Sequence, residues 1–342
     1  MFANDHYRTS AACLLLAVLM LLSACGGGGN VLQAPGVAEG EGQATPAVES
    51  SNESTPLDEQ ARVVQTAKGD IEIPVDPQRV VAGYYHGTLL ALGMQPLGAS
   101  KEWWMGSPFL TGEEAEIADI GSPVSLEKTV ELQPDLIVIN DLLEDNYDNL
   151  SKIAPTLFVP YDSIKNIRDE VAIFGKLLNR EKQAEKWLAE YESKAAAARA
   201  QLQDRVPPGS TAILLEVDGK TIAALGDNYG RGGEVIYNAL QFKAPEFIKR
   251  EVIDSGVQYL EISLESLTEI EDADFIFLST YTETTEAQLK ALTDSALWNS
   301  LKAVKNNNVI HLDYKTFFYF DPLSTLGQID VLTDQLMHSD SQ

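Results

Sequence analysis

The residues best suited to chemistry gather in one loop and recur after a series of apolar runs. Within Gly226-Asp227-Asn228-Tyr229-Gly230-Arg231-Gly232-Gly233-Glu234, Arg231 offers a planar fork of N–H donors suited to an array of anionic oxygens. Tyr229 places an aromatic face beside it, and the plain structural alternative for Arg231 is an ion pair with Glu234. Further candidates follow expected strands: Tyr84, Tyr85 and His86 after 79–82, Trp103 and Trp104 after Ala99, and Tyr161 after Val159. Tyr281 follows Leu278, and Tyr314, Phe317, Phe318 and Tyr319 follow Leu312. Singly, each serves packing equally well. Converging on one mouth, they make a small-molecule site.

Catalytic and metal chemistry leave little trace. The chain has no G-x-S-x-G elbow, no G-x-x-x-x-G-K-[ST] loop, no H-E-x-x-H and no C-x-x-C. Its histidines, His6, His86, His311 and His338, are scattered, so a bare zinc or manganese site is not expected. Neither enzymatic activity nor a resident metal or cofactor is expected. A net charge of −26, from 25 basic and 51 acidic residues, excludes nucleic acid as a partner, because phosphate binding needs clustered Lys and Arg.

The elements that must position these residues begin after an export signal. Arg8 precedes an apolar run over 11–22 that ends in Leu22-Ser23-Ala24-Cys25. As a helix this run would rise only ~18 Å against a hydrocarbon core of about 30 Å, so it reads as a secretory signal and not as a membrane span. Residues 26–60 are rich in Gly, Ala, Pro, Ser, Glu and Thr, the composition of a flexible tether. With Cys13 inside the signal, Cys25 is the one cysteine of the mature chain and no internal disulfide forms. The remaining stretch, about 280 residues, suffices for two lobes of ordinary size.

An internal echo supports two lobes. Ser125-Leu126-Glu127 leads to Asp135-Leu136-Ile137-Val138-Ile139, and Ser263-Leu264-Glu265 leads, one residue later in register, to Asp274-Phe275-Ile276-Phe277-Leu278. Each serine is a candidate N-cap, each glutamate falls in a first helical turn, and each apolar run reads as a buried parallel strand. Between the two copies, 164–202 is rich in helix formers and carries a stripe at Ile167, Val171, Phe174, Leu177 and Leu178, with Gly175 or Asn179 as points of interruption. The expected fold is α/β: two Rossmann-like lobes, 61–163 and 207–342, joined by a single long helix over 164–206, with a ligand crevice between them. Residues 1–24 are the signal peptide and 25–60 the tether.

The pattern of Ile73-Pro74, Asp76-Pro77-Gln78-Arg79-Val80-Val81, Ala91-Leu92-Gly93 and Pro96-Leu97-Gly98, then Glu127 before Leu132-Gln133-Pro134-Asp135-Leu136-Ile137, resembles the ferrisiderophore and vitamin B12 class of periplasmic-type binding proteins. The resemblance runs over residues 62–338. Within that class the loop at 226–234 and Tyr237 are similar to Gram-positive ferric hydroxamate receptors, where residues at the Tyr229 and Arg231 positions contact the iron chelate. Two departures bear on which chelate: Tyr229 stands where Trp is frequent, and 221–224 lacks a tyrosine found in some relatives. The residues before Cys25 resemble a lipobox, which implies diacylation of its sulfur.

The resemblance implies an extracytoplasmic, lipid-anchored, monomeric receptor for a ferric siderophore, the iron being held by the siderophore alone. Its implied partners are an ABC permease dimer with its ATPase and the membrane. It further implies that Glu127 and Glu265 dock onto permease arginines, one per lobe. The alternative for each glutamate is to stabilise its own helix dipole. A catecholate chelate, haem or cobalamin is the competing cargo; a catecholate would demand more base than Arg231 and Lys101 supply.

Overall fold

The computed structural model describes residues 61–338; the N-terminal apolar run, Cys25 and the tether lie outside the described residues, as do the side chains of Trp103 and Trp104. A two-stranded hairpin, β1 (Ala61–Thr66) with β2 (Gly69–Pro74), opens the described chain and forms a sheet of its own. The first lobe follows, with β3 (Val80–Ala82), helix α1 (His86–Ala91), β4 (Gly98–Ala99) and β5 (Ala118–Asp119). Helix α2 (Leu126–Glu131), β6 (Leu136–Ile139) and β7 (Thr156–Phe158) complete it. Its five strands are all parallel, in the order β5-β4-β3-β6-β7.

The second lobe has β8 (Ala212–Asp218), β9 (Thr221–Leu225), β10 (Tyr259–Ile262), β11 (Phe275–Thr280) and β12 (Val309–Leu312), in the order β10-β9-β8-β11-β12. Counted from each lobe's first strand, the two orders are identical, so the echo in the sequence reflects a repeated topology. The second sheet is mixed and not wholly parallel: β9 runs against both β8 and β10. The reason is local. Asp218 pairs with Thr221 across Gly219 and Lys220, and a two-residue turn can join only antiparallel strands; Gly219 takes φ 60 at its first central position.

The repeated aspartate has a structural role in both lobes. Asp135, just before β6, accepts from the N–H groups of Gln78 (2.8 Å) and Arg79 (2.9 Å) ahead of β3. Asp274, just before β11, accepts from the Thr211 N–H (2.8 Å) ahead of β8. Each carboxylate satisfies a backbone donor where the ladder has not yet begun and fixes the register of the two central strands.

Alternate strand residues enter different cores. Ala212 and Leu214 of β8 and Phe275 and Phe277 of β11 face an inner core, whereas Ile213, Leu215, Val217, Ile276 and Leu278 face an outer one. Leu136 and Val138 of β6 share that inner core, and Ile137 and Ile139 face the first lobe's outer layer. These are the continuous apolar runs of strands covered on both faces. Each fully buried large side chain contributes about 1.5–3 kcal/mol relative to exposure.

The connector is two helices, α3 (Ile167–Leu177) and α4 (Glu181–Leu202), broken at Asn179, which adopts φ 56. Gly175 does not break the chain; a Cβ there would meet the Ala184 Cβ at 2.7 Å, so glycine permits α3 and α4 to pack closely. α4, at 22 residues, is about 33 Å long and is the strut of the connector. Its Trp187, Tyr191, Ala195 and Leu202 belong to the same inner core as Leu136 and Leu214, so the lobes are joined by packing as well as by covalent chain. The closing helix α5 (Pro322–His338) packs on α1 and α4.

Candidate functional site

Both sheets reverse direction of growth beside their first strand, between β3 and β6 and between β8 and β11. Loops at the carboxyl ends of such strands diverge there and leave a crevice. A cavity of about 490 Å³ occupies that place, lined from both lobes. Of the expected contact residues, Tyr84, Tyr85 and His86 after β3, Tyr161 after β7, Tyr281 after β11, and Tyr314 and Tyr319 after β12 all line it, with Tyr229 and Arg231. Phe318 also lines it, while Phe317 is fully buried under Gly232.

Arg231 is held by one carboxylate and three rings. Its Nε donates to Glu216 Oε2 at 2.6 Å, and its guanidinium carbon lies 4.3 Å from the Phe318 ring centre, 4.9 Å from that of Tyr314 and 5.7 Å from that of Tyr229. The expected partner Glu234 is replaced by Glu216 because of strand parity: Glu216 shares the inner face of β8 with Ala212 and Leu214, and reaches the crevice where that face runs out. Among the described residues neither terminal nitrogen of Arg231 has a protein acceptor, and Arg231 lines the cavity. Arg231 itself sits at φ 57 between Gly230 and Gly232. A Cβ at Gly230 would approach the Phe318 carbonyl oxygen at 2.8 Å, so only glycine lets the loop lie against the segment that supplies the ring face.

Glu234 instead ties the lobes to the connector. It accepts from the Tyr191 hydroxyl (2.7 Å) on α4 and from Asn238 (2.8 Å), and burial pushes its carboxyl up to about 7 against those bonds. Tyr237 is likewise structural, its hydroxyl accepting from the Leu214 N–H at 3.1 Å.

The first-lobe wall is built of phenols. Tyr84 and Tyr85 meet edge to face with ring centres 4.7 Å apart, and the Tyr85 hydroxyl donates to the Val159 carbonyl at 3.1 Å. Burial raises Tyr84, Tyr85, Tyr161 and Tyr314, so these phenols remain neutral hydrogen-bonding groups. His86 lines the cavity, yet its Nε2 is engaged by Glu114 at 2.9 Å, which also accepts from the Gly106 N–H at 2.7 Å. Direct bonds cross the crevice: the Tyr161 hydroxyl donates to the Asn228 carbonyl (3.0 Å) and the Tyr319 hydroxyl to that of Met105 (3.2 Å). Lys101 is exposed and does not line the cavity.

Sequence reasoning missed Glu216, Asn140, Asp141, Leu142, Glu170, Phe320 and Asp321. Asn140 and Asp141 directly follow β6, so the same strand-end rule that found the tyrosines would have found them. Glu216 is an acid set between Leu215 and Val217 in the buried apolar part of β8, a placement that demands a counter-ion. Glu170 carries no such signal, since an acid in the first turns of a helix ordinarily serves the dipole. Among the described residues no group of three or more His, Cys, Asp and Glu side chains is placed to hold a metal ion.

Glu127 and Glu265 lie outside the cavity, both exposed, on equivalent N-capped turns. Ser125 Oγ accepts from the Lys128 N–H and Ser263 Oγ from the Ser266 N–H, each at 3.3 Å, heading α2 and the 3-10 turn Leu264–Ile270. Its own backbone N–H and the Ser263 hydroxyl hold the Glu265 carboxyl below the usual range. β5 and β10, which precede the two turns, both run parallel to the first strand of their lobe, so both turns arise at the crevice ends of the sheets.

The profile of the family described as "Periplasmic binding protein" matches residues 80–316. The iron(3+)-hydroxamate-binding protein YxeB of Bacillus subtilis is 38% identical over 290 residues, 84% of this chain and 89% of that protein. The iron(3+)-hydroxamate-binding protein FhuD of the same organism is 35% identical over 270 residues, 78% and 84% of the two chains. The solved FhuD protein from S. pseudintermedius superposes with a TM-score of 0.69 at 26% identity, covering 81% of this chain and 98% of that one. A profile spanning most of the described residues, relatives above one third identity and a shared two-lobed fold leave one assignment: the chain belongs to the periplasmic binding protein family and is a FhuD-type solute-binding protein, not an enzyme.

Proposed function

We propose that this protein is the extracytoplasmic receptor of an ABC importer and that its cargo is a ferric siderophore of the hydroxamate type. The observation that carries the reading is Arg231, fixed by Glu216 and three ring faces on the wall of an aromatic cavity, with neither terminal nitrogen bonded to an acceptor among the described residues. A ferric hydroxamate presents a ring of anionic oxygens on an organic scaffold. The guanidinium fork donates charge-assisted hydrogen bonds to that ring, and the phenols cover the scaffold. The relatives named for iron(3+)-hydroxamate binding support this cargo. One arginine and no lysine line the cavity among the described residues, which weighs against a polyanionic catecholate.

Titration of the purified, iron-free protein with ferric hydroxamates, ferric catecholates, haem and cobalamin, followed by intrinsic fluorescence, tests the reading. Saturable quenching by the hydroxamates at low micromolar concentration or below is expected. Tighter binding of haem, cobalamin or a catecholate would overturn it.

Glu127 and Glu265 are, in this reading, the docking contacts to the permease, one on each lobe. The lipid on Cys25 holds the receptor at the membrane that contains the importer. A lipoprotein signal-peptidase inhibitor should therefore leave a longer precursor in the cell; an unchanged product size would remove the anchor.

A further inference from the structure

Part of the cavity lining is acidic. Glu170, in the first turns of α3, is 2% exposed, and one of its oxygens accepts from the Thr88 hydroxyl. The other has no hydrogen bond among the described residues and opens into the cavity that Glu170 lines. Asp321, 8% exposed, stands on the same wall, with Oδ1 committed to the N–H groups of Leu323 (3.0 Å) and Ser324 (2.9 Å).

No lysine or arginine among the described residues answers these acids; His86 opposes the rise at Asp321 but is itself engaged by Glu114. Among the described residues Glu170 and Asp321 form no ion pair with Lys or Arg, Arg231 is already balanced by Glu216, and His86 by Glu114. A buried carboxyl without a counter-ion is held at a cost that an incoming cation would relieve. Burial accordingly pushes Glu170 up to about 8, with Asp321 and Glu234 adding and the Thr88 bond opposing. The other titratable groups acting on or feeling Glu170 are the neutral phenols of Tyr84, Tyr85 and Tyr161.

We propose that Glu170, with Asp321 on the same wall, is an ammonium-accepting subsite, so that the cargo is a ferric hydroxamate bearing a protonated amine on its organic chain. The chelate's oxygens then meet Arg231 on the second lobe while the amine meets Glu170 on the connector helix α3. This rests on the siderophore reading above and narrows it to one charge class. Binding is coupled to a proton: below pH about 8 the empty site holds a proton on Glu170, and the ammonium, whose own pKa is near 10, expels it. Affinity for the aminated chelate therefore rises as pH climbs from 6 to 8 and levels above that.

The test compares three linear ferric trihydroxamates that differ at one end: free amine, N-acetyl and N-succinyl. The native protein should bind the amine at least about tenfold more tightly than the acetyl form, and the succinyl form most weakly. Only the amine should bind with the pH dependence just given. In Glu170→Gln the amine-to-acetyl ratio should fall towards one. Equal affinities for amine and acetyl forms in the native protein, or an undiminished ratio in Glu170→Gln, would overturn the subsite. If the glutamine variant fails to fold, the native ratio and its pH dependence decide. Failure of all three chelates to bind would remove the siderophore reading itself, and the subsite with it.

Discussion

Replacing Arg231 with alanine should weaken ferric hydroxamate binding at least tenfold, and more where the ligand uses both terminal nitrogens. Hydrogen bonds to a charged group are worth about 1.5–3 kcal/mol, so the loss of the fork alone accounts for the lower figure. The environment adds to it. Glu216, 4% exposed, would lose its counter-ion, and stripping one member from a buried pair costs about 3–5 kcal/mol. Alanine keeps a Cβ at φ 57, so the backbone preference changes little and the result reports on the side chain. The companion Glu216→Gln in the alanine background separates the two contributions: it should recover stability without recovering affinity. Arg231→Lys should fall between, since a point charge replaces two diverging donors and the stacked plane over Phe318 is lost. Quenching titrations measure all three variants, and an unchanged affinity in Arg231→Ala would take Arg231 out of the site.

Reversing both Glu127 and Glu265 to arginine should abolish siderophore-dependent iron uptake while leaving the dissociation constant of the purified receptor unchanged. Neither side chain lines the cavity, and both are exposed at equivalent turns of the two lobes, the arrangement a two-fold permease surface would meet. Like charges placed across an interface cost several kcal/mol, and doing so on both lobes leaves no intact half to retain docking. Each single reversal should give a partial defect. A helix-dipole role predicts something different: a small loss of stability and normal transport. Uptake of labelled ferric siderophore by cells carrying each variant distinguishes the two, and normal uptake by the double variant would end the docking assignment.

The two lobes, the helical character of the connector though not its division into two helices, and the positions of many crevice aromatics were legible in the sequence because they depend on short-range rules. A serine before a helical turn, an apolar run of strand length, and an aromatic placed at its carboxyl end are each readable from neighbours in the chain. The sequence offered Gly175 and Asn179 alike as breaks of the connector; the structure breaks at Asn179, a residue type that tolerates φ above zero.

What the sequence determined by itself was the duplicated α/β body and the identity of Arg231 with its surrounding tyrosines. Only the tertiary structure decided their partners: that Arg231 pairs with Glu216 and not with the nearer Glu234, that Asp135 and Asp274 hold the central strands, and that Glu170 reaches Thr88, 82 residues away, to face the cavity. The physical reason is that secondary structure follows from contacts a few residues apart, whereas the pairing of buried charges follows from strand order and face parity. Those are settled only when the sheets assemble.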